Sequence, residues 1–320
     1  MIQRRTVGVI GTGNVGVAAA YSLFVRSVPS EIVLVDKDTR RAEGEAMDLM
    51  HGQALAGSVM VRAGDYADLA SAQVIVISAG ASQASGSETR LDLLGRNAGI
   101  FRSIVSELDQ HAPEAILVIT TNPVDILTYL VQSWSRRPPE RVIGTGTLLD
   151  SSRFRALLGR HYGVDPRSVH AHILGEHGDS EVPIWSNASI GNQRILNQTV
   201  LGRPFDQEAM DQLFEEARTA AYEIVDRKGY TNTAIGLVVT RIAKAILDDE
   251  KSVLPVSVRP SAEYGIDDVC LSLPCVVGAS GIEAQIHLDL SPDEQRGLRA
   301  SADVLRESLA DLMASNEAFA

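Results

Sequence analysis

The chain has 320 residues, more than one ordinary domain needs, and its 45% hydrophobic and 22% charged residues exclude a disordered or fibrous polymer. A net charge of −12 argues against nucleic acid as a partner, so any anion the protein binds must be met by a few focused cations. The two cysteines, Cys270 and Cys275, lack further ligands for a metal cluster and read as reduced structural thiols.

Arg4 and Arg5 precede an apolar stretch, but Gly8, Gly11, Gly13, Asn14 and Gly16 interrupt it, which a secretory signal would not tolerate. No apolar run reaches the roughly 18 residues of a membrane span. A cytoplasmic protein without membrane contact is expected.

From residue 6 to about 145, short β-branched runs alternate with helical stretches: "TVGVIG" from Thr6, "EIVLVD" from Glu31, "VIVISAG" from Val74, "ILVIT" from Ile116 and "RVIGTG" from Arg141. Runs this apolar suit strands covered on both faces, which predicts an α/β fold with a doubly wound parallel sheet. After Gly146 the rhythm changes to a helix around Ser151 to His161, strand-like residues from Val169 to Leu174, and helices over Gln207 to Arg227 and Thr233 to Asp248. Two strand-like runs, "SVLPVSV" from Ser252 and "VCLSLPCVV" from Val269, precede a charged terminal helix starting near Ser291. The expected division is a dinucleotide-binding Rossmann domain over 1–145 and a mixed α+β substrate domain over 146–320.

"GTGNVG", with Gly11, Gly13 and Gly16, follows the first strand and opens a helix. Its glycines permit a tight turn and close approach of backbone to a pyrophosphate, and the helix N-terminus supplies N–H groups. Asp36 ends the second strand twenty positions after Gly16, where a carboxylate can accept from both ribose hydroxyls and would repel a 2′-phosphate. NAD is therefore expected over NADP. Gly80 and Ala81 in "SAGA", and Thr121 and Asn122 in "ITTNP", fall at carboxyl ends of later strands, the edge that holds the ligand in an open α/β sheet.

Three further segments carry polar groups that dinucleotide binding does not require. "LLDSSRFR" places Asp150 and Arg153 three positions apart on one helix face, "GEHGDSEVP" presents His177 in a glycine-flanked turn, and "SETRLDLL" brings Arg90 to the start of a helix. Hydride transfer to a carbonyl builds charge on oxygen, which calls for a proton donor and a nearby cation. His177 suits the proton donor and acceptor, Asp150 its orienting partner, Arg153 the anchor of a substrate carboxylate and Arg90 the polariser of the carbonyl. Taken singly, each has an ordinary alternative: a solvated turn histidine and a surface salt bridge.

The segments "GTGNVG", "SAGASQ", "TRLDLLGRN", "TNPVD", "GTGTLLDSSRFR", "GEHGDSEVP", "KGYTNTAIG" and "LSLPCVVG" run along the whole chain in order, and together they resemble the L-lactate and malate dehydrogenase family. The resemblance implies the roles just given for His177, Asp150 and Arg153, and puts Arg90 on a loop that closes over the substrate. It also implies that Asn122 and Thr231 border the substrate and that Val15, Arg41 and Tyr66 approach the dinucleotide. The position that separates lactate from malate enzymes is Gln83. An uncharged amide cannot compensate the second carboxylate of malate, so the pyruvate and lactate pair is expected, with malate or broad 2-hydroxy acid use as the alternative. A non-catalytic NAD-binding sensor is the alternative from outside enzymology.

The sequence departs from the family in the same loop. "QASGSETR" places Arg90 seven positions after Gln83, one more than the commonest bacterial spacing, and has Ala and Ser where Lys-Pro is frequent. The resemblance further matches Arg155 and His170 to positions that bind fructose 1,6-bisphosphate in allosteric bacterial lactate dehydrogenases, and it implies a homotetramer. No metal is expected.

Overall fold

The computed structural model describes residues 5–81, 90–261 and 263–315, without the side chains of residues 90 and 263. Gln83 and the side chain of Arg90 therefore lie outside the described part. The first half forms the parallel strands β1 (Thr6–Ile10), β2 (Glu31–Val35), β3 (Met60–Ala63), β4 (Val74–Ile77), β5 (Ile116–Ile119) and β6 (Val142–Gly144). Their spatial order is β3-β2-β1-β4-β5-β6. Every residue of β1, β2, β4 and β5 is buried, as expected for strands with helices on both faces.

The strand order reverses between β1 and β4, which pair in parallel from Val7 against Val74 to Ile10 against Ile77. Successive crossovers leave this point in opposite directions, so a crevice opens beyond the carboxyl ends of the two strands. "GTGNVG" follows β1 and "SAGA" follows β4, so both segments reach the same crevice.

The sheet does not stop at β6. Ser252–Val258, Leu271–Gly278 and Gly281–Gln285 continue it antiparallel, joined through Ser257 opposite Gly144. The sequence shows two of these runs as strands but not that they extend the first sheet. β3 and Gly281–Gln285 were not foreseen; both are short and sit at the two sheet edges, where burial is incomplete.

Val169 to Leu174, expected as one stretch, is two strands with different partners. Val169–His170 pairs with Ser189–Ile190, whereas Ile173–Leu174 pairs with Val182–Pro183. The second half has its own apolar cluster around Phe154, Leu158, Ile173 and Ile195, with Phe154 meeting Trp185 edge to face at 4.9 Å. This cluster fixes the helix Leu148–Tyr162, which carries Asp150 and Arg153.

Candidate active site

At the cofactor end, Gly11 has φ +94° and donates its N–H to Val35 O at 2.8 Å, a left-handed turn that glycine adopts without strain. A Cβ on Gly16 would lie 1.9 Å from Gly11 O, so glycine there is a packing requirement. Gly13 is different. Its φ of −74° suits any residue, and a Cβ would meet no protein atom within 4 Å. The space beside it is open and can admit a ligand. The helix Asn14–Val25 that follows has no side-chain cap and no acidic residue in its first turn, which leaves its N–H groups free for a phosphate.

Asp36 Oδ2 accepts from the backbone N–H and the hydroxyl of Thr12, at 2.6 and 2.9 Å, and Oδ1 accepts from the N–H of Asp38. Partial burial opposes its charge, but these bonds and nearby Arg41 outweigh it and hold the carboxyl below its ordinary range. An ionised, fixed carboxylate with lone pairs to spare fits a ribose diol. Tyr66 is half-buried at the start of the short turn Ala67–Leu69, with its phenol pushed up by burial and by Glu107. These residues fit NAD. Gly13→Val is expected to leave the thermal midpoint unchanged while weakening NADH binding roughly tenfold or more, checked by fluorescence titration. Unchanged affinity would remove the assignment.

The crevice holds a cavity of about 370 Å³ whose lining includes Val15, Gly80, Thr121, Asn122, Arg153 and His177. Ala81 and Thr231 also border it. A Cβ on Gly80 would lie 2.7 Å from Thr121 Cγ2, so this glycine lets two strand ends approach. Thr121 donates to Ala79 O, and the buried Asn97 accepts from the N–H of Ala81 at 2.7 Å, fixing that edge.

Asp150, Arg153 and His177 come together on the far wall. Thr147 and Ser151 bond to the backbone of Ile173, which locks the start of their helix to the strand leading into the histidine loop. That loop is clamped: Gly175 bridges Ser272, the N–H of Glu176 donates to Ser301 Oγ, and the N–H of His177 donates to Asp125 Oδ2 at 2.7 Å. His177 Nδ1 then meets Asp150 Oδ2 at 2.6 Å, while Arg153 donates to Asp150 Oδ1 at 2.8 Å.

Asp150 is 2% exposed and the His177 side chain 24%, so the imidazole faces the cavity and the carboxylate does not. Burial works against a charged imidazole, but Asp150, by attraction and hydrogen bond, with Asp125 and Glu181 behind it, lifts His177 to about 9. Burial also opposes the Asp150 charge, yet His177 and Arg153 hold its carboxyl below the ordinary range. Asp125, 2% exposed, is raised by burial to about 6.

Arg155 and His170 are not among the residues that line this cavity. The buried Nε of Arg155 meets no hydrogen-bond partner among the described residues, and His170 pairs with Ser189 in a short strand. Both bear electrostatically on His172, which burial first and then Arg155 and His170 lower to about 4. Sequence reading missed Thr12, Asn97, Asp125 and Glu181. Asp125 and Glu181 stood within the recognised segments "TNPVD" and "GEHGDSEVP". A charged residue set between apolar neighbours such as Val124 and Ile126 was the signal available.

A doubly wound dinucleotide fold, with a histidine–carboxylate pair and an arginine in its switch-point cavity, has the architecture of a nicotinamide-dependent oxidoreductase. Comparison with known proteins agrees. Residues 5–144 match the lactate/malate dehydrogenase NAD binding domain, and residues 147–316 match the α/β C-terminal domain of the same family. An L-lactate dehydrogenase of Salinibacter ruber is 67% identical over 98% of this chain and 99% of its own, and one of Gloeobacter violaceus is 47% identical over 94% and 91%. The crystal structure of a minor L-lactate dehydrogenase from Enterococcus mundtii, in a ligands-bound form, superposes with a TM-score of 0.93 at 41% identity, covering 96% of this chain and 98% of that one. The chain belongs to the lactate/malate dehydrogenase family, and NAD is its cofactor.

Proposed function

We propose that the chain catalyses reversible hydride transfer between NADH and pyruvate, giving (S)-lactate and NAD. The observation that carries the reading is the His177–Asp150 pair at 2.6 Å, facing the cofactor crevice with Arg153 beside it. Bound NADH supplies the hydride, and NAD accepts it in the reverse direction. With Nδ1 held by Asp150, Nε2 is the nitrogen left to give a proton to the developing alkoxide and to take it back from lactate. A raised His177 favours the charged form at neutral pH, the form pyruvate reduction needs.

Arg153 uses one N–H on Asp150, and the rest of its planar fork suits the substrate carboxylate. By family resemblance Arg90 is assigned the polarisation of the carbonyl and Gln83 the choice of substrate side chain, and Asn122 and Thr231 line the cavity. Residues 1–145 hold the dinucleotide, with Gly11, Gly13, Val15, Gly16, Asp36, Arg41, Tyr66, Gly80, Ala81 and Thr121 around it, and residues 146–320 contribute the proton pair. The test is NADH oxidation with pyruvate, followed by chiral analysis of the product. (S)-lactate is expected, and (R)-lactate or no turnover removes the reading.

Regulation and assembly form a second part of the proposal. Arg155 and His170 both lie close enough to His172 to depress its imidazole, and a guanidinium beside ring N–H donors suits a phosphate anion in an otherwise acidic chain, which supports a fructose 1,6-bisphosphate site. Exposed apolar side chains on the outer helices support a homo-oligomer, a tetramer by family resemblance: Leu55 is 93% exposed, Met47 61% and Tyr21 59%. Fructose 1,6-bisphosphate is expected to lower the apparent KM for pyruvate roughly five- to tenfold in protein free of bound ligand. An unchanged KM would exclude activation. A cytoplasmic location is part of the same proposal; among the described residues no helix is long and apolar enough to cross a membrane.

A further inference from the structure

Glu181 ends the histidine loop just before the strand Val182–Pro183 and is 7% exposed. Its Oε1 is fully buried and meets no hydrogen-bond donor among the described residues. A carboxylate oxygen of Glu181, one of Asp150 and a ring nitrogen of His177 all lie within 4.8 Å of one another. Packing does not ask for an acid here, since burying an unsatisfied carboxyl oxygen costs stability that an apolar side chain would not. The acid sits instead where it feels every change in charge on the imidazole.

We propose that Glu181 is a positioning residue of the proton-transfer pair, a buried carboxyl whose charge rises and falls with that of His177 and which keeps the imidazole charged to higher pH. Facing these two groups are Asp150 and Arg153 from the helix Leu148–Tyr162, Asp125 from the helix Val124–Trp134, and Arg218 from the helix Gln207–Lys228. Burial, followed by repulsion from Asp150, raises Glu181 to about 8, while His177, Arg153 and Arg218 pull the other way. When His177 passes its proton to the substrate oxygen, the attraction that favoured an ionised Glu181 disappears. From about pH 8 upward, where Glu181 is ionised, the carboxylate then takes a proton from solvent, and releases it when a second solvent proton recharges His177. The helix that supplies Arg218 also grips this loop, since Arg218 donates to Asp179 O at 3.0 Å and Tyr222 Oη to Asp179 Oδ1 at 2.9 Å. Glu181 and His177 are thus held on one clamped segment.

The inference rests on the pyruvate-reduction reading, whose failure would show separately as no NADH oxidation by the unaltered chain at any pH. The experiment compares kcat/KM for pyruvate against pH in the unaltered chain, Glu181→Gln and Glu181→Asp. Glutamine keeps the shape and removes the charge, so its alkaline midpoint is expected to fall by about one unit, a roughly tenfold deficit above the midpoint that shrinks towards acid pH. Aspartate keeps a charge at greater distance and should fall between the two. Superimposable midpoints, a loss uniform across pH, or equal shifts in both variants would overturn the proposal. If Glu181→Gln does not fold, Glu181→Asp decides alone: an intermediate drop supports the proposal, and an unchanged midpoint overturns it.

Discussion

Asp150→Asn is expected to cost pyruvate reduction roughly 10³-fold in kcat/KM near neutral pH, and lactate oxidation distinctly less. The asymmetry follows from the sign of the His177 shift. Burial alone would push this imidazole below its ordinary value; the Asp150 charge reverses that and raises it to about 9. In the unaltered chain pyruvate reduction should hold up to that region and decline as pH rises through it, because the proton donor is lost. Lactate oxidation should rise through the same region, because it needs the neutral ring. Asparagine can still occupy the space beside Nδ1, but it supplies no charge, so the midpoint drops and little imidazolium remains at neutral pH. Steady-state kinetics in both directions, from about pH 5.5 to 10, check this. Equal losses in both directions with an unmoved midpoint would mean that Asp150 acts by shape alone.

Arg153→Leu should fail in a different way. Arg153 is partly buried and already paired with Asp150, so its remaining N–H groups are oriented before substrate arrives. Removing a desolvated partner of a carboxylate costs about 3–5 kcal/mol, which predicts a loss of roughly 10²- to 10³-fold or more in kcat/KM, expressed chiefly in KM. The alkaline midpoint should not fall, since removing a cation beside His177 favours its charged form. Arg153→Lys should recover only part of the loss, because an ammonium cannot reproduce the planar fork. A pyruvate KM unchanged in Arg153→Leu would place the carboxylate elsewhere in the cavity.

These two expectations concern residues that sequence reading found, and the reason lies in spacing. Asp150 and Arg153 share a helix face by local periodicity, and "GTGNVG" followed by Asp36 encodes a turn and a strand end within one βαβ unit. The parallel half of the fold was legible for a similar reason: fully buried strands read as unbroken apolar runs. Partner choice was not legible. Nothing local indicates that Ser252–Val258 pairs across to β6, or that the chain changes partners between His170 and Ile173. The clamp on the histidine loop was hidden likewise, because Asp125 and Ser301 reach it from 52 and 125 positions away, counted to His177 and Glu176. Nothing local in the sequence marks Glu181 as buried; only the fold encloses it.

The reaction therefore rests on several segments brought together, whereas sequence reading took the choice of lactate over malate from Gln83, which lies outside the described residues, and the relatives named L-lactate dehydrogenase point the same way. The direct test is kcat/KM for pyruvate against oxaloacetate, with NADH saturating. A neutral amide at the position assigned to substrate choice predicts pyruvate preferred by roughly 10²-fold or more, since a second carboxylate would be buried without a partner. A preference for oxaloacetate would contradict the account and move the chain to the malate side of its family.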